Sequence, residues 1–157
     1  MARYQTSFSS PTSTEAAFSY LSRFSSTAEW DPGVVEACDL TPDPVGVGSA
    51  FEVVSSFLGR PVPLRYEIIE FDAPRRVVLR AENLAVRSID TVTCEPRADG
   101  STVVSYDAVL EPRGAVRLMS PLLALLFRRI GDRAADGLRA NVDRLAAAGR
   151  GQAGRPS

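Results

Sequence analysis

The chain has neither histidine nor lysine among its 157 residues, so acid–base chemistry on it falls to carboxylates, phenols and guanidinium groups. Without histidine there is no Ser-His or Cys-His nucleophile and no imidazole metal site. Without lysine there is no Schiff base. Cys38 and Cys94 lie far apart with no CxxC spacing and read as reduced core thiols, so neither a metal nor a cofactor is expected. The "GVG" at 46–48 precedes a strand pattern rather than a helix, which makes it a hairpin element and not a phosphate cradle.

The remaining candidates are polar residues that strand alternation directs inward. In the run 102–110, Val104, Tyr106, Ala108 and Leu110 share one face against Ser105 and Asp107, so Tyr106 is an inward phenol. The same count sets Phe51, Val53, Ser55 and Phe57 against Glu52. It sets Tyr66 and Ile68 against Arg65 and Glu67, and parity with Tyr66 carries Glu70 inward. Apolarity leaves the facing of two runs open: Val77, Leu79 and Ala81 stand against Val78, Arg80 and Glu82, and Asp90, Val92 and Cys94 against Ile89, Thr91 and Thr93. Choosing the Asp90 set brings that carboxylate inside. The catalytic candidates are therefore Asp90, Glu70, Tyr106 and Arg80. A buried carboxylate without a cationic partner has its pKa raised by desolvation and suits a general acid or base; paired with Arg80 or Arg87 it is a structural ion pair.

The elements that position these residues follow from the period. A first strand is predicted at 3–8, then a helix over 11–24 with Ala17, Phe18, Leu21 and Phe24 on one face. Its start is either Ser10 with Pro11 in the first turn or a capping box of Thr12 and Glu15. Six strand runs come next, at 34–40, 49–58, 64–71, 76–81, 86–95 and 102–110. They are separated by "TPDPVGVG", "GRPVP", "DAPR", "EN" and "PRADG", links short enough to require antiparallel neighbours. An amphipathic helix is predicted over 120–148. Leu123, Phe127, Ile130, Ala134, Leu138, Val142 and Leu145 form its apolar stripe, which needs the sheet's inner face as a partner. This gives a single α+β domain over 1–148 and a flexible tail over 149–157. The only tryptophan, Trp30, stands on the corner "WDPG" as a core plug or as a wall whose indole N–H meets a ligand, with Asp31 capping the turn.

The 18 basic residues, all arginine, against 19 acidic ones leave a formal charge of −1, which excludes the basic field of a nucleic-acid binder. No run resembles a signal peptide or a membrane span, so a cytoplasmic protein without stable membrane insertion is expected, as a monomer or homodimer.

The order "SPTSTEAAFSYLSRFSSTAEWDPGV", "GVGSAFEV", "LRYEIIEFDAPRRVVLRAE", "DGSTVVSYDAVLEPRG" and "PLLALLFRRIGDRAADGLRANVDRL" covers nearly the whole chain. It resembles the polyketide cyclase/dehydrase branch of the START-like, Bet v 1-like superfamily. The resemblance implies a helix-grip fold, in which a curved seven-stranded antiparallel sheet wraps a long C-terminal helix around an elongated apolar cavity. It implies a container without naming a reaction. With the inward faces counted above, Trp30, Phe51, Val53, Tyr66, Ile68, Val92, Tyr106, Leu123 and Phe127 are the expected ligand-binding residues. Three functions compete. The first is a carrier or sensor of a hydrophobic, lipid- or polyketide-like molecule. The second is an aromatase/cyclase or dehydratase working with carboxylate, Tyr and Arg groups. The third is an accessory protein that uses an exposed apolar patch in "RLMSPLLALLF" around Leu122 and Leu126.

Overall fold

Period-two alternation joined by short turns produces one meandering antiparallel sheet. The computed structural model describes residues 1–153, except for the side chains of Met119, Ser120, Leu123 and residues 151–153. Strands β1 (Ala2–Ser10), β2 (Val34–Asp39), β3 (Ala50–Phe57), β4 (Arg60–Asp72), β5 (Arg76–Glu82), β6 (Val86–Pro96) and β7 (Thr102–Pro112) form a seven-stranded sheet in the order β1-β7-β6-β5-β4-β3-β2. The connection from β1 to β2 holds α1 (Thr14–Ser22) and α2 (Thr27–Trp30), which is why β1 pairs with β7 and not with β2. A 3₁₀ turn at Gly114–Met119 leads into α3 (Ser120–Ala153). This is the predicted helix-grip arrangement.

Three boundaries differ from the sequence reading. "GRPVP" is not a break. Leu58 and Gly59 alone form the turn, both at positive φ, and Pro61 and Pro63 lie within β4 opposite Ser56 and Val54. They are tolerated because β5 pairs with β4 only from Tyr66 onward, leaving the proline stretch as an edge that needs no N–H on its second side. Neither predicted cap of α1 forms. The Ser10 hydroxyl donates to Asp143 at 2.7 Å and the Thr12 hydroxyl to the Val142 carbonyl at 2.6 Å, so both are spent tying β1 to the end of α3. Ser13 caps instead, accepting from the Ala16 N–H at 3.2 Å. Finally, α3 continues to Ala153 rather than ending at Ala148, and residues 154–157 lie outside the described part of the chain.

One half of the concave face is packed solid. Phe18 and Leu21 of α1 descend onto it, with the Phe18 ring 5.3 Å from Phe71 and Phe24 4.7 Å from Tyr66. Below them Val77, Leu79, Val92 and Val104 are fully buried. The second half of α3 closes the same core with Ala134, Leu138 and Val142, and two glycines set how close it comes. A Cβ on Gly131 would stand 2.4 Å from the Tyr4 ring, and one on Gly137 would stand 1.9 Å from the Trp30 carbonyl oxygen. The tryptophan corner is therefore the backbone on which the last helix rests. Asn141, which donates to the Glu29 carbonyl, ties the same two elements together.

Gly137→Ala should lower stability by about 3 kcal/mol, because backbone must move to admit the methyl group and this outweighs alanine's better helix propensity. Gly149→Ala meets nothing within 4 Å and should raise stability by up to about 1 kcal/mol. Denaturant titration of the two variants checks the pair, and equal effects would contradict the close approach of α3 to Trp30.

Candidate functional site

Strand register writes the concave face as rows of side chains. One row runs Tyr66, Ala81, Ser88, Leu110 and the next Ile68, Leu79, Asp90, Ala108, Tyr4. A third passes through Phe71, Val77, Val92 and Tyr106. Asp90 thus sits in the middle row, two residues from Ser88 on its own strand and diagonal to Tyr106. The alanines at 81 and 108 are its small neighbours, and they leave room for the phenols to lean across.

The resulting cluster is closely bonded. The Tyr106 hydroxyl donates to Asp90 Oδ1 at 2.5 Å and the Ser88 hydroxyl to Oδ2 at 2.8 Å. The Tyr66 hydroxyl lies beside the same two groups. Trp30 packs edge-on against Tyr106 with ring centroids 5.6 Å apart, and its indole N–H is taken by Ser26 Oγ at 3.3 Å. Asp31 stands close enough to act on Asp90 electrostatically while its Oδ1 accepts from the Gly33 N–H at 2.8 Å, the turn cap expected of it.

Burial dominates the electrostatics. Asp90 is 3% exposed. Desolvation pushes its carboxyl up from 3.8 to about 6, against the pull of its hydrogen bonds to Tyr106, Ser88 and Tyr66. Asp31 is raised as well, again chiefly by desolvation. Desolvation and the neighbouring carboxylate hold Tyr66 and Tyr106 well above the usual phenol range, so both remain donors at neutral pH. Among the described residues no cation answers Asp90. The expected ion pair with Arg80 or Arg87 does not form: Arg80 is exposed on the outer face, and Arg87 pairs with Glu82 and Glu111.

Of the four catalytic candidates, the structure joins Asp90 and Tyr106 and removes the other two. Arg80 faces out because Val77, Leu79 and Ala81 take the inside. Glu70 is exposed and bonded to Arg76 at 3.1 Å. The parity that placed it inward is reversed by a bulge between Ile68 and Glu70, which turns Phe71 toward Phe18 instead. The adjacent pair Ile68-Ile69 is the visible break in alternation that signals the bulge. Ser88 is absent from the sequence reading, although its parity with Asp90 on the same strand marks it.

The expected ligand-binding residues divide by place. Trp30, Phe51, Val53, Ile68 and Val92 are at most 3% exposed and belong to the packed core. Tyr66 borders that core, while Tyr106 and Phe127 are half-buried nearer the start of α3. The Leu123 side chain lies outside the described residues. On this open half Ser55, Phe57, Leu64 and Leu110 share the inward parity yet stay half-exposed. The two cavities among the described residues are on the outside, away from the expected elongated one under α3. One of about 460 Å³ lies between the start of α1 and the turns bearing Arg75 and Arg97, and one of about 410 Å³ crosses the convex face at Gln5, Thr91, Ser105 and Asp107.

Comparison with known proteins agrees with this architecture. A START superfamily protein from Mycobacterium smegmatis superposes with a TM-score of 0.75 at 16% identity, covering 92% of this chain and 99% of the other. The Zhui aromatase/cyclase from Streptomyces sp. R1128 gives 0.74 at 11% identity, covering 90% and 93%. The Thermus thermophilus protein TTHA0849 gives 0.73 at 15%, covering 94% and 98%. At these identities the likeness is one of fold. No curated protein matches the sequence. The model of the family described as polyketide cyclase / dehydrase and lipid transport matches residues 1–143, and the chain belongs to that family.

Proposed function

We propose that the protein binds an apolar small molecule, lipid- or polyketide-like, as a carrier or sensor. The binding place is the open half of the concave face, under the first half of α3. The observation that carries this reading is the Asp90–Tyr106–Ser88–Tyr66 cluster, a polar island on an apolar wall. Apolar surroundings with a few convergent polar groups are the usual composition of a small-molecule site. The half-exposed side chains Phe57, Leu110 and Phe127 support it, because they are apolar surface that folding leaves for a ligand to cover. Leu123, on the same stretch of helix, is included among the residues proposed to contact the ligand. The family's description, which includes lipid transport, points the same way.

The cluster also selects among ligands. Asp90 and Asp31 stand together without a guanidinium among the described residues to offset them, so a ligand carboxylate meets repulsion while a hydroxyl or amine meets an acceptor. Neutral or donor-bearing apolar molecules fit; fatty acids in their ionised form do not.

A second reading is favoured by one feature. A carboxyl that titrates at about 6 beside two phenols is matched to proton transfer near neutral pH, as an aldol cyclisation or dehydration requires. Turnover of a poly-ketone mimic by the purified protein, abolished in Asp90→Asn, would establish the enzyme and displace the carrier.

Because Asp90 titrates higher in the fold than its ordinary 3.8, its contribution to stability is fully present below that value and lost as pH rises through about 6. The shift corresponds to about 3 kcal/mol at neutral pH. Stability of Asp90→Asn relative to wild type should therefore improve by that order between about pH 4 and pH 7, read by denaturant titration at each pH. A flat difference would mean that Asp90 is not desolvated.

Tyr106→Phe removes a donor to the charged form of Asp90, so the carboxyl should titrate still higher, observable by carboxyl-carbon NMR. In a fluorescence displacement assay with a long-chain alcohol and the matching fatty acid, the acid should lose affinity as pH rises through about 6 and the alcohol should not. Equal pH dependence for the two would remove the ligand preference argued here.

A further inference from the structure

The strand ends opposite α1 carry leucines with nothing over them. Leu84, at the β5–β6 turn, is 97% exposed, Leu118 is 89%, and Leu122 and Leu125 on the first turns of α3 are 50% and 55%. These sites adjoin, since the Arg113 N–H donates to the Ala85 carbonyl and the Leu84 carbonyl lies 3.8 Å from where a Cβ of Gly114 would stand. Leu58, at the tip of the β3–β4 hairpin on the same end of the sheet, is also exposed.

Helix geometry brings the start of α3 to this same end. Tyr4 donates to Asp132 and Ser10 to Asp143, so α3 and β1 run in the same direction. Gly131 lies over Tyr4. Leu122, nine residues earlier, is then roughly 13 Å further out along the helix. The strand ends at Ala2, only about 7 Å beyond Tyr4. The first turns of α3 thus reach past the end of β1 to the level of the β5–β6 turn, with Leu122, Leu125 and Arg129 on the face turned away from the Ala134 and Leu138 stripe.

The charge on this segment has one sign. Residues 112–131 contain Arg113, Arg117, Arg128 and Arg129 and no acidic residue, in a chain whose formal charge is −1. Arg113 is held by Glu82. Arg117, Arg128 and Arg129 are exposed and pair with no acidic side chain among the described residues. Protruding leucines flanked by unpaired arginines form the composition of an interfacial, anion-seeking amphipathic surface. No described helix is long and apolar enough to cross a membrane.

We propose that this end docks reversibly on an anionic lipid bilayer, with Leu84, Leu118, Leu122 and Leu125 entering the headgroup region and Arg117, Arg128 and Arg129 meeting lipid phosphates. The surface lies outside the concave face, so its test is independent of any ligand bound there. The purified chain is floated with phosphatidylcholine vesicles and with vesicles containing about a third phosphatidylglycerol. Two variants accompany it, Arg117→Gln/Arg128→Gln/Arg129→Gln and Leu118→Ser/Leu122→Ser/Leu125→Ser, and circular dichroism confirms that both are folded. Wild type should float with the anionic vesicles only, and less as salt is raised. The arginine variant should lose on the order of a hundredfold in partitioning and the leucine variant roughly tenfold or more. No flotation, equal flotation with neutral vesicles, or flotation unchanged in both variants overturns the proposal. A dimer in light scattering that the leucine variant converts to monomer also overturns it, assigning the face to a second copy of the chain.

Discussion

The closest constraint in the molecule is the contact of Gly137 with the Trp30 carbonyl, where no side chain can be admitted. It holds the second half of α3 against α2 and β1, where Leu138 and Val142 complete the core. A helix pinned along its later turns cannot also press its earlier turns into the sheet unless it bends. The inward side chains Phe57 of β3 and Leu110 of β7 on that half keep part of their exposure. The closed core and the half-exposed concave residues follow from where α3 is held, at Gly131 against Tyr4 and at Gly137 against Trp30.

The restricted set of bases has a second consequence. Arginine carries a permanent charge, so an inward arginine would need a buried partner at considerable desolvation cost. The arginines of this chain that form ion pairs do so at the surface, as Arg3 does with Asp107 and Arg76 with Glu70. The interior is left to hydroxyl groups and to Asp90. Where a lysine or histidine could have adjusted its protonation to the pocket, only the carboxylate and its neighbours can, and Asp90 titrates higher because burial desolvates it with no described cation to offset the cost.

Much of the fold was legible because it rests on period. Alternation in 102–110 placed Tyr106 inward, and the stripe on the last helix found Leu138 and Val142. Asp90 became legible once one face of its strand was chosen. What failed was local and energetic. The bulge at Ile68-Ile69 reversed the parity of Glu70, because a ring at Phe71 gains more from Phe18 than an unpaired carboxylate could there. The cap of α1 is not legible because Ser10 and Thr12 are used by groups more than 100 residues away, at Asp143 and Val142. Gly131 and Gly137 stood unexplained within a helical pattern, although a glycine inside a helix is a costly choice that points to a close neighbour, here Tyr4 for one and Trp30 for the other.

Asp90 joins structure to function most directly. A buried carboxylate is held there against its preference for water, and an apolar residue of similar size would relieve the strain on the core. The geometry around it is not that of an accident of packing: two hydroxyls donate to separate oxygens, a second phenol stands beside them, and small alanines flank the cluster. Both carboxylate oxygens are taken by these hydroxyls, so the half-buried Tyr106 is the member of the cluster that a ligand on the proposed site meets first. The open half of the groove lies on that side, and Tyr106, shared between the cluster and the Trp30 wall, connects the two. Stability is given up at the place where apolar surface is left uncovered. That coincidence is the physical ground for the site proposed on the concave face.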